Sequence, residues 1–329
     1  MGVALDALTL PGDELAPRPR GRRLVFGSIF TLLTIGTTVL VGGRLSHTSW
    51  PLERAHMSLV GLAGVLYFAS FVFRALGWQK LFPSEHRPGR SRCLAACGAA
   101  AASGVVLPFR LDYAVKITTL RRLPGVRLGL EAIALSIISL GLVDAVAFLP
   151  LSISATAATS PGFRAPLVLV VLFGLGACGI LVGSRHLARL PFVARRERLS
   201  KLAARAPNHS GTRRRDAIHA WFLLVGCWSS RAVGSMLLLA ALGAGFSPAV
   251  TLVVLCLGAA AALIPITSGG AVANVGTTAA VLLALGVHRE QAINFGLASG
   301  LLLCASALAA SIVGLLCAVA ARRVPALAR

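Results

Sequence analysis

Apolar runs long enough to cross a lipid bilayer recur along the whole chain, and no long polar segment separates them. A membrane-spanning helix needs about 20 predominantly apolar residues, and a soluble core has no need of such runs from end to end. Hydrophobic residues make up 56% of the chain and charged residues 13%, whereas soluble domains carry about 25% charged residues. The pattern predicts an all-α polytopic membrane protein and excludes a large aqueous catalytic domain.

The limits of the runs divide the chain into two tails and a membrane domain of two halves. We expect a cytoplasmic basic tail at 1–23, a transmembrane domain at 24–321 (halves 24–183 and 217–321, joined by a basic cytoplasmic loop at 184–216) and a cytoplasmic tail at 322–329. About seven or eight transmembrane helices fit, with one or two re-entrant or half helices and a possible inverted repeat of the two halves. Residues 249–285 are compatible with two full spans or with one re-entrant hairpin.

The net charge of +21 would indicate nucleic-acid binding in a soluble protein. Here 26 of the 32 lysines and arginines fall in those segments outside the runs that are predicted to lie on the same side of the membrane. Basic residues concentrate in cytoplasmic loops, so this bias predicts a multi-pass protein of the cell membrane with both termini in the cytoplasm. Anionic lipid headgroups are the expected partners of these charges, and nucleic acid is not. The oligomeric state stays open.

The first of two interrupted runs ends at Pro108. Residues 93–107 are apolar but too short to cross the bilayer comfortably, which favours a re-entrant or half helix. Arg110, Asp112 and Lys116 follow the proline at an aqueous boundary, and this arrangement suits an anionic headgroup, to which Arg110 and Lys116 would donate. An ordinary loop with solvated charges is the alternative.

The second interruption lies one half-chain later, at Leu263–Gly270. Ser268, Gly269 and Gly270 would begin a helix whose free N–H groups bind anions, and Asn274 extends the polar face. Close helix packing is the other use of such glycines. Two interruptions at corresponding places in two halves are the best sequence indication of a transporter's binding site.

Four ionisable residues lie within the apolar runs, where charge is costly and marks function or a buried partner. At 1.5 Å of rise per residue, Arg74 and Glu131 lie at similar shallow depth, and Asp144 and Arg231 at similar greater depth. We therefore expect two ion pairs, Arg74 with Glu131 and Asp144 with Arg231. Each pair would either fix helix register or serve a substrate, and Asp144 and Arg231 are counted among the candidate binding residues.

Two stretches resemble the lysylphosphatidylglycerol synthase transmembrane-region family, a family of flippase-like integral membrane proteins. In the first, 105–150, the matching residues are the proline, the basic and acidic residues after it and a buried acid on the next span, namely Pro108, Arg110, Asp112, Lys116, the run Leu120-Arg121-Arg122, and Asp144. In the second, 263–287, they are Pro265, Gly269, Gly270 and Leu285-Gly286-Val287. The family's glycine before the first acid is Leu111 here, its Glu-Arg pair before Asp144 is absent, and its acid after Gly-Gly is missing.

The resemblance implies translocation of a lipid, or of a lipid-linked anionic headgroup, across the cytoplasmic membrane. The substrate would be an anionic phospholipid or a polyprenyl-linked headgroup. Since the chain ends soon after its last span, the aminoacyl-transfer domain of larger relatives is not expected, and neither is its reaction.

Other functions are compatible with the composition. A non-transporting scaffold or accessory subunit would explain the lost carboxylates, and a small-solute transporter is a further alternative. A lipid-modifying enzyme is disfavoured because no clustered acids or histidine–acid motif occurs in the apolar runs. The cysteines form no CxxC pair, so we expect no metal and no cofactor.

Overall fold

A computed structural model describes residues 52–53, 55–104, 111–123, 128–159, 161–187, 214–261 and 270–327, all within the compact unit Pro51–Arg329. These residues form a 3₁₀ turn at Ser84–His86 and nine α-helices: α1 (Met57–Lys80), α2 (Arg90–Gly104), α3 (Asp112–Arg122), α4 (Leu130–Ala158), α5 (Pro161–Leu187), α6 (Arg214–Ala241), α7 (Pro248–Ala261), α8 (Gly270–Ala284) and α9 (Arg289–Leu327). No strand occurs in the described ranges. The expected all-α class is therefore confirmed.

Five of these helices, α1, α4, α5, α6 and α9, are long and apolar enough to cross a membrane. This confirms a multi-pass membrane protein. The predicted first span, 24–42, lies outside the described residues, so the total of about seven or eight spans stays a prediction. The same holds for the inverted repeat.

The structure describes 14 residues of α7 and 15 of α8, on either side of the second interruption. The described part of α7 ends at Ala261 and that of α8 begins at Gly270, and residues 262–269 between them lie outside the described residues. The choice between two full spans and one re-entrant hairpin at 249–285 therefore stays a prediction. The same holds for the half helix expected at 93–107, of which α2 describes the part up to Gly104.

The helices α1 and α6 pack closely and antiparallel. Gly77 of α1 lies against Ala220 and Leu224 near the start of α6. Farther along, the Tyr67 and Ser235 hydroxyls share a hydrogen bond of 2.9 Å. Small residues let two membrane helices approach, and this contact positions the side chains that both helices turn toward α4.

A second close contact joins α2 to α9. A Cβ added to Gly98 would lie 2.5 Å from the Ala307 carbonyl oxygen and 2.5 Å from the Ser311 amide nitrogen, so only glycine fits there. Gly314 meets the backbone of Ala95 in the same way. α2 is thus held against a long span, and Cys97, Ala100, Ala101 and Gly104 of its last turns line a cavity.

The turn from α8 to α9 depends on a glycine conformation. Gly286 has φ of +83°, which residues with a side chain rarely adopt. The Val287 N–H donates to the Leu282 carbonyl oxygen at 3.0 Å, the bond that closes a Schellman motif. The sequence Leu-Gly-Val at this place therefore ends α8 sharply and returns the chain into α9.

An ionic cluster ties the end of α1 to the start of α6. Asp216 accepts a hydrogen bond from Arg87 Nη2 at 3.0 Å, and Lys80 Nζ lies 3.7 Å from its other oxygen. Both basic residues belong to the segment between runs that the charge bias assigns to the cytoplasmic side. The cluster thus joins two helix ends that are predicted to lie on that side.

Candidate functional site

A cavity of about 400 Å³ lies where the short helices meet the spans. One wall comes from α1, α3 and α6 and carries charged, aromatic and hydroxyl side chains. The other comes from α2, α7, α8 and α9 and consists mainly of small and apolar residues. The lining residues used below are Tyr67, Phe71, Arg74, Asp112, Lys116, Trp228, Arg231, Ser235, Thr278 and Ser299.

Asp144 joins α1, α4 and α6 through both of its carboxylate oxygens. Arg74 Nη2 donates to Oδ2 at 2.7 Å, and Trp228 Nε1 donates to Oδ1 at 2.8 Å. The side chains of Arg74 and Asp144 are only 25% and 12% exposed. A charge-assisted hydrogen bond in such surroundings is strong, so Asp144 serves as the built-in counter-ion of Arg74.

Asp144 was expected to pair with Arg231. That expectation is wrong, because Asp144 pairs with Arg74 and Arg231 does not pair with Asp144. The hydrogen bond of 3.0 Å from Trp78 Nε1 to Ser136 Oγ shows which turns of α1 and α4 lie beside each other. Arg74 lies one turn from Trp78, and Asp144 lies two turns from Ser136 in the same direction along the bundle. An arginine side chain covers the remaining turn of about 5.4 Å. The depth estimate failed because it started every span at the same plane and ignored the length of the side chain.

Arg231 is held by neutral groups. Its Nε donates to Ser70 Oγ at 3.2 Å, and Ser70 Oγ donates in turn to the Tyr67 carbonyl oxygen at 2.6 Å. The guanidinium carbon lies 5.4 Å from the centroid of the Phe71 ring and 5.3 Å from that of Trp228. Within the described part of the chain, Arg231 forms no ion pair. It faces the cavity as a cation supported by rings and a hydroxyl group.

Lys116 is a second cation in the wall. It is 6% exposed, and its Nζ lies 4.1 Å from the centroid of the Trp78 ring. None of the carboxylates that the structure describes pairs with it. Burial lowers the pKa of the Lys116 ammonium from its ordinary value. Lys116, which was expected at an aqueous boundary, is therefore buried against α1.

Asp112 begins α3, where an acid favours the helix by facing its positive end. It lies one turn before Lys116 and lines the same cavity. Gly104, the last residue of α2, is close by, since an added Cβ would lie 3.4 Å from the Asp112 Cβ. The structure thus brings Asp112, Lys116 and Arg231 to one cavity, as expected for a shared site.

The remaining candidates are less fully described. Pro108, Arg110, Ser268 and Gly269 lie outside the described residues, which reach Gly104 and resume at residue 111, and reach Ala261 and resume at residue 270. Gly270 and Asn274 fall in the first two turns of α8, where the structure describes the backbone. Their predicted roles stay predictions.

Several residues that line the cavity, and Ser70, which holds Arg231, were not anticipated from the sequence. Tyr67, Ser70 and Phe71 form a helical stripe with Arg74 on α1. Trp228 and Ser235 form a second stripe with Arg231 on α6. Spacings of three and four residues place side chains on one helix face. The residues of both stripes can therefore be found in the sequence as those spaced three or four positions apart, starting from Arg74 and Arg231.

A comparison with known families gives one match, and it covers most of the chain. The family profile described as "Lysylphosphatidylglycerol synthase TM region" matches residues 25–311. No curated protein and no solved structure gives a significant match.

Proposed function

Because the chain belongs to the lysylphosphatidylglycerol synthase TM region family, we propose that it translocates a lipid with an anionic headgroup across the cell membrane. The observation that carries this proposal is a pair of cations, the buried Lys116 and the half-buried Arg231, which face one cavity without an ion pair among the described residues. We also propose that the protein is not an enzyme.

A buried cation without a counter-charge is costly. A cation removed from water loses hydration, and a buried charge is normally paired with an opposite one. Asp144 meets this need for Arg74 at 2.7 Å. Lys116 and Arg231 have rings and a hydroxyl group instead. A phosphate group in the cavity would supply the missing negative charge and accept the guanidinium donors, for which its geometry is suited.

The shape of the cavity also suits a lipid. Its volume of about 400 Å³ falls in the range of about 300–1,000 Å³ that is usual for small-molecule sites. The charged wall would hold the headgroup, and the wall of small and apolar residues, such as Gly258 and Ala259, would accept the adjoining apolar part. In this mechanism the acyl or prenyl chains stay in the bilayer while the headgroup passes through the protein.

The Arg74–Asp144 pair has a different role in this proposal. Its two members are bonded to each other, and Asp144 is also bonded to Trp228, whose ring flanks Arg231. We propose that the pair holds the α1 and α6 stripes in position, so that Arg231 keeps its orientation when the cavity is empty. Arg231 and Lys116 are the residues that bind the headgroup.

The test is translocation of fluorescent phosphatidylglycerol by the full chain in phosphatidylcholine vesicles. We expect Arg231→Gln, and Lys116→Met separately, to slow translocation by about tenfold or more, because each removes a charge-assisted contact worth about 1.5–3 kcal/mol. Neither change leaves a buried charge behind, so both variants should insert normally.

Exposed basic residues of the described helices provide matched controls. Arg289→Gln at the start of α9 and Arg121→Met on α3 alter charges that face away from the cavity. Translocation by these controls should equal that of the wild type. Equal rates in well-folded Arg231→Gln and Lys116→Met would refute the proposed function.

A further inference from the structure

The charges of the cavity wall do not balance. Among the described residues, Arg74 is neutralised by Asp144 at 2.7 Å. Asp112 and Lys116 lie one turn apart on α3 and line the same cavity, so the carboxylate partly offsets the ammonium. Arg231 has no carboxylate partner in the described part of the chain. The described wall therefore carries one positive charge in excess.

The rest of the polar lining is neutral and rich in hydroxyl groups. Tyr67 and Ser235 share a hydrogen bond of 2.9 Å beside Arg231, and Thr278 and Ser299 line the cavity from α8 and α9. Hydroxyl groups both donate and accept hydrogen bonds, so they suit a ligand that carries hydroxyl groups itself. Asp112 is the one carboxylate among the described lining residues.

We infer that the cavity takes a headgroup with one phosphodiester charge and a neutral polyhydroxyl substituent, such as glycerol or a sugar. This inference rests on the proposed function and deepens it. The phosphodiester would lie against Arg231 and Lys116 and compensate the single excess charge. The polyhydroxyl group would lie along the Tyr67–Ser235 side of the wall.

Other headgroups fit these charges less well. A diphosphate carries more negative charge than the described wall compensates. An ammonium-bearing headgroup places a positive charge among three cations, and like charges at short range cost several kcal/mol in such sites. Two lipid sources share the inferred chemistry, a phosphatidyl polyol and a polyprenyl phosphate sugar.

The experiment is a competition panel on the wild-type full chain in phosphatidylcholine vesicles. Fluorescent phosphatidylglycerol is the reporter, and binding and translocation are both measured. The competitors are phosphatidylglycerol, a polyprenyl phosphomannose, phosphatidylethanolamine, lysylphosphatidylglycerol and a polyprenyl diphosphate sugar. We expect one or both of the first two to compete at least about tenfold better than the other three. Which of the first two competes better identifies the lipid source.

A charge variant tests the same inference from the protein side. Asp112→Asn should raise the excess to two positive charges and shift the preference toward the diphosphate lipid. Thermal unfolding of the purified variant checks that the fold is kept. An unchanged order of preference in folded Asp112→Asn would contradict the charge balance.

The outcomes separate the inference from the proposed function. Equal competition by all lipids, or stronger competition by either ammonium lipid, overturns the headgroup assignment while translocation still supports the function. Selective binding without translocation overturns the function and leaves the assignment standing. Absence of both binding and translocation for every lipid overturns both.

Discussion

Two arginines in the same bundle have opposite surroundings, and their difference defines the site. Arg74 donates to a carboxylate, whereas Arg231 donates to a serine hydroxyl and lies beside two rings. Both are equally visible in the sequence as charges within apolar runs. Their surroundings depend on the register of α1, α4 and α6, which is set by packing. The sequence could therefore identify these residues, but it could not assign their partners.

We expect Asp144→Asn to lower the free energy of unfolding by about 3 kcal/mol, because one-sided loss of a buried pair leaves the other charge uncompensated. Denaturant unfolding in detergent, followed by tryptophan fluorescence, measures the change. Glu290→Gln, at an exposed position on α9, is the matched control and should have little effect.

The double variant Asp144→Asn with Arg74→Met removes both charges of the pair. It should recover part of the lost stability, since no buried charge then lacks a partner. A single variant as stable as the wild type, or a double variant with losses that simply add, would contradict the role of Asp144 as counter-ion.

Hydroxyl and aromatic residues of the site escaped prediction for a different reason. Tyr67, Ser70, Trp228 and Ser235 are ordinary residues of membrane helices, and a single occurrence carries no signal. They gain meaning only from their three- and four-residue spacing to an arginine. That spacing is present in the sequence, but it is informative only once the arginine's face is known to line a cavity.

The helices themselves were largely predictable, and their contacts were not. The short alanine-rich run ending before Pro108 corresponds to α2, and the two runs around Pro265 correspond to α7 and α8. Hydrophobic runs bounded by proline or glycine mark helix limits within a few residues. The α2–α9 contact has no such marker, because Gly98 and Gly314 look like many other glycines in apolar runs.

Gly98→Ala should destabilise the fold by about 2 kcal/mol, because overpacking a tight contact forces neighbouring backbone to move. The added Cβ would lie 2.5 Å from backbone atoms of α9. Thermal unfolding in detergent measures the effect.

The matched control for this substitution is Gly141→Ala in α4, where an added Cβ meets nothing within 4 Å. It should change stability by less than about 1 kcal/mol, since alanine is the better helix former. Equal effects of the two substitutions would show that the α2–α9 approach is looser than described.

The described helices combine an ionic cluster at one end, a cavity between them and a poorly buried span. Asp216 joins Lys80 and Arg87 at the end predicted to be cytoplasmic. In the span within α5 only 17% of the residues are buried among the described residues, the smallest share of the five spans. Composition and hydropathy predicted the membrane class, and the cytoplasmic position of the basic loops stays a prediction. Composition and hydropathy could not predict the cavity, which depends on how seven helices meet.

Photo-crosslinking tests most directly whether a lipid headgroup enters this cavity. The full chain in phosphatidylcholine vesicles is irradiated with phosphatidylglycerol that carries a photoreactive group on its headgroup glycerol, and labelled peptides are mapped. Labels should fall on the cavity stripes of α1 and α6, disappear with excess unlabelled phosphatidylglycerol, and weaken in Arg231→Gln but not in Arg289→Gln. Labels confined to α5, or unchanged by Arg231→Gln, would contradict headgroup binding in the cavity.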